Sequence, residues 1–406
     1  MRQIAETRPN PGQLKLELGR FGLQIDDSAR PRATVRDDGP AQHPHGVELV
    51  LPEEVWVSAP VRDQADATPF VLYGAEDRFV LRSDRDAVDV RLIDPPAFYR
   101  QSTLAGTAMR SIGTVHGSFV AITFGAGCGF SSAGGPCPLC RSEQGSAARQ
   151  SLPSVPDVVE VIRAAFAEGA AEFVYFRLCG GAEPDGGIAS VERHIRAVKS
   201  NFDTAVAVQM HPPADHRWID ETYAMGVDAV SYPLEVFDEE HLRRLCPGRA
   251  RRTGRRGYFD ALKHAAGIFP SGTVWSELVI GTEPAESTRR GIDALASLGV
   301  LPVLSLPAEA PSWDSLSLDL GEILPLYAHL FAAVRQARIN MGWLRALSFA
   351  ITPLEARFFA GEDARISALE QFYRSRLGQS TARSLARLRR RLRVRRVSDS
   401  VDSSHL

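Results

Sequence analysis

Six short apolar runs, each followed by a segment of helical pattern, constrain the fold of this sequence more than any other feature. The runs are rich in β-branched and aromatic residues, which favour strands. They cover residues 118–124, 172–178, 204–210, 228–234, 273–281 and 300–306. Strands that alternate with helices form right-handed units with parallel strands. Because nothing resembling an edge strand interrupts the series, the pattern predicts an α/β fold with a full or partial (β/α)6 barrel.

The sequence on either side of this series predicts further regions. The first 46 residues are rich in Pro, Arg and Asp and are interpreted as largely irregular, and short alternating runs typical of a small antiparallel sheet follow them. After the series only helical patterns occur. The predicted regions are 1–115, an N-terminal irregular and β-rich region; 116–315, the barrel core; 316–382, a C-terminal helical cap; and 383–406, a basic tail.

Charge and hydropathy limit the classes of function. The net charge is −2 although residues 383–396 hold eight arginines and no acid, so the rest of the chain is acidic. An acidic body argues against a broad nucleic-acid surface, and the tail is interpreted as a solvated helix end, a disordered extension or a weak contact for an anionic partner. No apolar run approaches the ~18 residues of a membrane span, and no signal peptide is evident. The expected location is therefore cytoplasmic, without membrane contact.

Three of the five cysteines lie in a Gly- and Pro-rich loop directly after the first predicted strand. Eight residues separate Cys128 from Cys137, and two separate Cys137 from Cys140. Such spacing indicates metal or redox chemistry, and thiolates select zinc, Cu(I) or iron–sulfur clusters. Structural zinc usually has four protein ligands, whereas three leave one iron of a [4Fe–4S] cluster open for a chelating substrate. A cluster is favoured; zinc and cysteines without a metal role stay open as alternatives.

The cysteine loop and the segments after it resemble the radical-SAM superfamily. The interval in CPLC matches the family's cluster motif, and the longer first interval is similar to a less common branch. The resemblance implies a [4Fe–4S] cluster on Cys128, Cys137 and Cys140, and S-adenosylmethionine (SAM) as the second cofactor. It also implies that Leu139 packs beside the adenine of SAM.

Two segments after the second and third predicted strands extend the resemblance. LCGGAEPDGG resembles the family's GGEP motif, which holds the amino group of SAM, although an alanine separates the second glycine from the acid. The resemblance thus implies a role for Gly180, Gly181 and Glu183. After the third strand, Gln209 and His211 lie where the family often places polar groups that contact SAM.

Two further segments complete the resemblance to the radical-SAM superfamily. YPLEVFDEEHLRRLCPGR resembles a stretch in which an acid faces the ribose and an arginine faces the carboxylate of SAM, which here implies Glu235 and Arg249. SELVIGTEP resembles the segment that sandwiches the adenine, which implies Glu277, Ile280 and Gly281. The five segments occur in this order, each at a strand end, and the resemblance covers about half of the chain.

The function predicted from the sequence is a radical-SAM enzyme that acts on a small molecule, with an electron donor such as a flavodoxin or ferredoxin. Cys179 and Tyr258 are weak candidates for catalytic residues, each with a packing role as the alternative, while Cys246 and Tyr232 are interpreted as structural. A zinc-stabilised α/β protein that binds a ligand or partner without redox chemistry is the second hypothesis. A radical-SAM scaffold that has lost catalysis is the third.

Overall fold

A computed structural model gives the architecture of the chain as two sheets with helices packed around them. The residues that it describes are 9–33, 35, 46–62, 68–75, 78–84, 86–130, 152–180, 183–306, 319–344, 347–348, 350–361, 378, 380–381, 384–385 and 388. Among these residues no helix has both the length and the apolar character that crossing a bilayer requires.

The N-terminal region contains one helix and a six-stranded sheet. The sheet has the order β1-β4-β5-β6-β2-β3 and is antiparallel except for the β1–β4 pair, so the predicted small antiparallel sheet is confirmed. The elements are α1 (Pro11–Phe21), β1 (Gln24–Ile25), β2 (Gly46–Leu51), β3 (Val55–Pro60), β4 (Val71–Ala75), β5 (Arg78–Arg82) and β6 (Ala87–Ile93).

Helix α1 contradicts the interpretation of the first 46 residues as largely irregular. Asn10 caps the helix by accepting hydrogen bonds from the next turn, and a proline occupies its first position, where no donor is lost. Its leucines alternate with polar residues, which hides the helical period. Leu14 and Leu18 pack into the N-terminal sheet, whereas Leu16 packs into the core of the second sheet. Contacts on both sides therefore stabilise a helix that its own pattern does not predict.

The second sheet confirms the six predicted strands. They lie in sequential order and are parallel, from β8 to β13, with one antiparallel strand at each edge. Within the described residues no pairing joins β7 to β14, so the curled sheet is a partial barrel. The strands are β7 (Thr114–His116), β8 (Phe119–Cys128), β9 (Phe173–Gly180), β10 (Val206–Gln209), β11 (Ala229–Ser231), β12 (Val274–Val279), β13 (Leu301–Ser305) and β14 (Ala350–Ile351).

Helices cover the convex face of this sheet, and the main apolar core lies between them. The alternate residues of each strand, such as Val174, Phe176 and Leu178 of β9, point into that core. The helices before and between the parallel strands are α2 (Met109–Ile112), α3 (Val155–Ala167), α4 (Ile188–Asn201), α5 (Arg217–Ala224), α6 (Glu239–Leu245), α7 (Pro247–Arg252), α8 (Gly254–Ile268) and α9 (Ala285–Ser297).

The C-terminal part is helical, as predicted, but it also contributes a strand. Helices α10 (Leu320–Gln336) and α11 (Pro353–Ala356) pack on the end of the sheet, and the two-residue strand β14 pairs with β13. The prediction of only helical structure beyond residue 315 is wrong at β14, because two residues are too few to give a periodic signal. The predicted boundaries between the four regions stay predictions, and nearly all of the basic tail lies outside the described residues.

The N-terminal sheet packs across the open side of the partial barrel. The carboxylate of Glu48 accepts a hydrogen bond from Ser348, beside β14, at 3.0 Å and lies 3.7 Å from the ring of His116 in β7. Lys15 of α1 forms a buried ion pair with Glu355 of α11 at 3.3 Å. Elements next to both edges of the barrel sheet therefore contact the N-terminal region.

Candidate functional site

The cysteine loop begins at the carboxyl end of β8, next to the end of β9. The backbone of Cys128 pairs with Gly180, and the amide of Gly129 donates a hydrogen bond to the Gly180 carbonyl at 3.1 Å. A Cβ atom on Gly129 would lie 2.4 Å from that carbonyl oxygen, so this approach requires glycine. The predicted ligands Cys137 and Cys140, and Leu139 between them, lie outside the described residues.

Phe130 anchors the start of this loop. Its ring is fully buried and meets the ring of His211 edge-on, with the centroids 4.7 Å apart. A Cβ atom on Gly248, in the first turn of α7, would lie 2.5 Å from the Cβ of Phe130. Three predicted segments, the cysteine loop, the end of β10 and the start of α7, therefore come together. The sequence analysis missed Phe130, whose aromatic ring in a Gly-rich loop was the available signal.

The concave face of the barrel sheet has an aromatic floor. It consists of Phe119, Tyr175 and Trp275, whose ring centroids are 5.1 Å apart for Phe119 and Tyr175, and 6.2 Å apart for Tyr175 and Trp275. Small side chains such as Ala207 pack between them. The floor makes the lower part of the concave face largely apolar.

Polar side chains lie above this floor, and we call them the concave lining: Arg177, Gln209, Ser231 and Glu277. Arg177, Gln209 and Ser231 occupy aligned positions on β9, β10 and β11, and the hydroxyl of Tyr175 donates a hydrogen bond to the Gln209 side chain. Of these residues the sequence analysis identified only Gln209 and Glu277. In β9, Tyr175 and Arg177 alternate with apolar residues, which indicates a strand with one polar face. The sequence analysis interpreted this strand as buried.

Glu235 and Arg249 form an ion pair at the same edge. The two carboxylate oxygens lie 2.8 and 3.1 Å from two guanidinium nitrogens, and the arginine side chain is 5% exposed. Glu235 has a left-handed backbone with φ of 65°, and its amide donates to the Glu277 carbonyl at 2.7 Å. A strained backbone in a non-glycine residue is typical of functional positions.

The surroundings of Glu277 raise the pKa of its carboxyl. Burial raises its pKa, and the negative charge of Glu235 adds to the effect, while Arg177 and Arg249 oppose it. Burial also raises the pKa of the Tyr175 hydroxyl, and the charge of Glu277 raises it further. The edge therefore combines two arginines with two glutamates, and burial raises the pKa of one of these, Glu277.

The other predicted residues are less closely grouped. Gly180 has φ of 112°, Glu183 is exposed, and Gly181 lies outside the described residues. Ile280 is buried in the main core, and Gly281 follows it with φ of 81°. These positions at strand ends stay predictions as cofactor contacts.

The two weak catalytic candidates differ in their surroundings. Tyr258 is fully buried, and its hydroxyl lies 3.1 Å from Nδ1 of His211, whereas Cys179 is half-buried at the end of β9. Cys246 is buried among Val236 and Leu242, as a structural role predicts. The described residues contain no group of three or more His, Cys, Asp or Glu side chains suited to a metal ion.

Comparison with known proteins finds similarity to a curated relative and to solved structures. No family model matches the chain. It is 24% identical over 110 residues to bacteriochlorophyllide c C-7(1)-hydroxylase of Chlorobaculum limnaeum, which is 27% of each protein.

Two of the similar solved structures are of the [FeFe]-hydrogenase maturase HydG. For the Carboxydothermus hydrogenoformans enzyme the TM-score is 0.39 at 16% identity, over 54% of this chain and 52% of that one. For the other HydG structure the TM-score is 0.40 at 13% identity, over 54% of this chain and 50% of that one. The chain thus spans about a quarter of the curated relative and about half of each solved structure.

Proposed function

We infer that this chain is an enzyme of the radical-SAM superfamily, which binds a [4Fe–4S] cluster and SAM at the carboxyl edge of its partial barrel and acts on a small molecule. One observation carries the proposal: the Glu235–Arg249 pair and Glu277 lie at the strand ends of the edge from which the cysteine loop leaves. Chemistry in parallel barrels is built at this edge.

The donor set fits a cluster. Three cysteines within 13 residues can supply three thiolates, and the backbone of the first, at the end of β8, pairs with Gly180. The backbone at Gly129 and the ring of Phe130 fix where the loop starts. We propose Cys128, Cys137 and Cys140 as the ligands.

The charges at the edge fit SAM, which carries an ammonium, a carboxylate, a sulfonium and ribose hydroxyls. Arg249 would bind the carboxylate, since a guanidinium offers paired donors to two oxygens. Glu235 would then accept hydrogen bonds from the ribose, and Gln209 and His211 provide neutral polar contacts. We propose that Gly180, Gly181 and Glu183 contact the amino group, and that Ile280 and Gly281 lie against the adenine.

Cys128, Cys137 and Cys140 would hold the cluster, which would supply the electron for reductive cleavage of SAM. The chain's own contribution is position and exclusion of water. The aromatic floor keeps solvent from the concave face below the site, and the concave lining orients polar groups of a substrate above it. Glu277 would place a buried carboxyl with a raised pKa beside the substrate.

Anaerobic reconstitution with iron and sulfide, reduction, and addition of SAM test the proposal. We expect about four irons per chain and 5′-deoxyadenosine by mass spectrometry. The variants Cys128→Ala, Cys137→Ala and Cys140→Ala should each lose both, while Cys246→Ala, outside the proposed ligand set, should keep both. One zinc with no iron would instead support the zinc-stabilised binding protein, and iron without nucleoside would support a scaffold that has lost this cleavage.

A further inference from the structure

The inference concerns Glu283, a buried acid that has no part in the proposed function so far, and it rests on that function. Glu283 follows the last residue of β12 by four positions, and only 2% of it is exposed. Burial raises the pKa of its carboxyl. Moving a carboxyl group out of water is unfavourable unless its oxygens are hydrogen-bonded. The hydrogen bonds of Glu283 therefore indicate what the residue does.

The carboxyl of Glu283 holds the turn between β11 and α6. One oxygen accepts a hydrogen bond from the amide of Asp238 at 2.6 Å, and the amide of Phe237 also donates to the carboxyl and lowers its pKa. The other oxygen accepts from the hydroxyl of Thr288, in α9, at 3.1 Å. Asp238 is itself the cap residue at the start of α6. Glu283 thus fixes the point at which α6 begins.

The same turn contains Glu235 in its left-handed conformation. Strand β12 holds this residue, because its amide donates to the carbonyl of Glu277 at 2.7 Å and the amide of Val279 donates to its carbonyl at 2.9 Å. A left-handed backbone is unfavourable for a residue with a Cβ atom and persists only where the surrounding contacts fix it. Glu283 provides such contacts two and three residues further along the turn.

The turn is also connected to Arg249. A small buried core joins it to α6 and to the start of α7, and this core consists of Val236, Leu242, Leu245 and Cys246. Arg249 lies in α7 and reaches back to pair with Glu235. A shift of the turn and of the start of α6 would therefore displace the two members of the ion pair together.

We propose that Glu283 is a positioning residue for the Glu235–Arg249 pair. Its carboxyl fixes the turn and the start of α6, and these hold the two side chains that would bind the ribose and the carboxylate of SAM. Glu283 lies outside the set of proposed SAM contacts, so its effect on SAM binding is indirect. Such effects are large, since a misplacement of about 1 Å at a binding group can weaken function about 100-fold.

Binding of SAM to the full-length, reconstituted protein tests the proposal. Glu283→Leu removes both acceptor oxygens and should raise the Kd for SAM by calorimetry about ten-fold or more. Glu283→Gln retains an oxygen that can accept from the amide of Asp238, so it should restore a Kd near that of the wild type. The matched control is Thr288→Val, which removes the other hydrogen bond of the same carboxyl. It should lower the Tm and leave the Kd unchanged.

Two results of this titration would overturn the proposal. The first is an unchanged Kd in Glu283→Leu, and the second is a Kd raised equally in Glu283→Leu and Thr288→Val, which would indicate general destabilisation. If leucine prevents folding, Glu283→Asp replaces it. The carboxyl of aspartate is one methylene shorter and cannot reach the turn in the same way, so the Kd should rise in the same direction.

Hydrogen exchange separates this proposal from the proposed function, since it requires no ligand. In the cluster-free protein the amides of residues 235–241 should exchange about ten-fold faster or more in Glu283→Leu than in the wild type, and at the wild-type rate in Thr288→Val. A wild type that binds no SAM would refute the proposed function, while the exchange rates would still decide whether Glu283 holds the turn. Wild-type exchange in Glu283→Leu would overturn the proposal.

Discussion

Charged side chains at the carboxyl edge are stable there because they are paired. Removing two charges from water costs several kcal/mol, which the Glu235–Arg249 pair offsets with two short contacts. The pair is therefore held in place for binding rather than being a source of net stability. What it contributes is a fixed guanidinium beside a fixed carboxylate, at the point where the proposed cofactor requires both.

Removing one member of this pair should be costly. We expect Arg249→Leu to destabilise the protein by about 3 kcal/mol, because Glu235 is left as a half-buried charge without its partner. The double variant Arg249→Leu/Glu235→Leu should recover most of that loss. Thermal unfolding of the cluster-free protein measures both, with Arg243→Leu, from the exposed pair with Glu239, as the control that should change stability by less than about 1 kcal/mol. A double variant as unstable as the single one would contradict the expectation.

The raised pKa of Glu277 predicts a specific pH dependence. Its ordinary pKa is 4.5, and burial raises the folded-state pKa above that value. Between the two values the folded state binds more protons than the unfolded state, so the contribution of Glu277 to stability is present below pH 4.5 and is lost as pH rises. The advantage of Glu277→Gln over the wild type in Tm should therefore grow from about pH 5 to about pH 8. Glu286→Gln, on the exposed side of α9, should show a flat difference, and an equally flat result for Glu277→Gln would refute the argument.

Site residues that lie within one recognisable stretch of sequence were predictable, and isolated side chains were not. Glu235 and Arg249 lie in one recognisable stretch, so both could be identified before their ion pair was known. Arg177 could not, because its importance depends on strands that are distant in the sequence. The charge of Arg177, on β9, lowers the pKa of Glu277. Glu277 lies on β12, which is three strands away in the sheet.

At the scale of elements, the close approach of β8 and β9 determines where the cysteine loop begins. Gly129 and Gly180 are in backbone contact, and Gly248 of α7 receives Phe130 from the same loop. Side chains at Gly129 and Gly248 would push the loop away from the edge. Gly129 and Gly248 thus act on the site by allowing elements to approach one another.

Gly129→Ala should therefore lower both stability and cluster content. Its Cβ would lie 2.4 Å from the Gly180 carbonyl oxygen, so the strands must separate. Bound iron after reconstitution and the Tm should both fall. Gly267→Ala is the matched control: this residue of α8 has open space around a Cβ, and alanine there should stabilise the helix by about 0.5 kcal/mol. Normal iron content in Gly129→Ala would show that this approach is not required.

The parallel strands were the most predictable elements and the edges of the sheet the least. Each of the six runs is several residues long and buried on one or both faces, so local composition is enough to identify it. Strand β14 has two residues and exists only because β13 offers it an edge. Helix α1 depends on contacts with two separate cores, as the positions of Leu16 and Leu18 show. Tertiary contacts that no local pattern encodes explain both differences.

At the scale of the whole molecule, the N-terminal sheet compensates for the missing strands of the barrel. A partial barrel leaves edge residues and the concave face exposed to water, and elements next to both edges here contact the N-terminal region. Lys15 is buried, and it reaches across to Glu355 and to the carbonyl of Leu347, a residue that packs near the aromatic floor. The two regions are therefore expected to unfold together.

The Lys15–Glu355 pair tests that expectation. Burial lowers the pKa of Lys15, and Glu355 opposes this, so the ammonium depends on its partner. Lys15→Met leaves Glu355 buried without that cation and should cost about 3 kcal/mol. Lys15→Met/Glu355→Gln should recover most of it, because glutamine retains the capping of α11 by Glu355 and Thr352 without the charge.

The matched control is Arg78→Met, which removes an exposed ion pair with Asp89 inside the N-terminal sheet and should cost less than about 1 kcal/mol. Differential scanning calorimetry should show one transition for the wild type and for Arg78→Met, because an intact interface couples the two regions. In Lys15→Met the N-terminal region should unfold first, as a separate transition at lower temperature. A single transition that simply moves down would mean that the interface remains intact without the pair. Two transitions already present in the wild type would mean that the N-terminal sheet closes the barrel without being coupled to its stability.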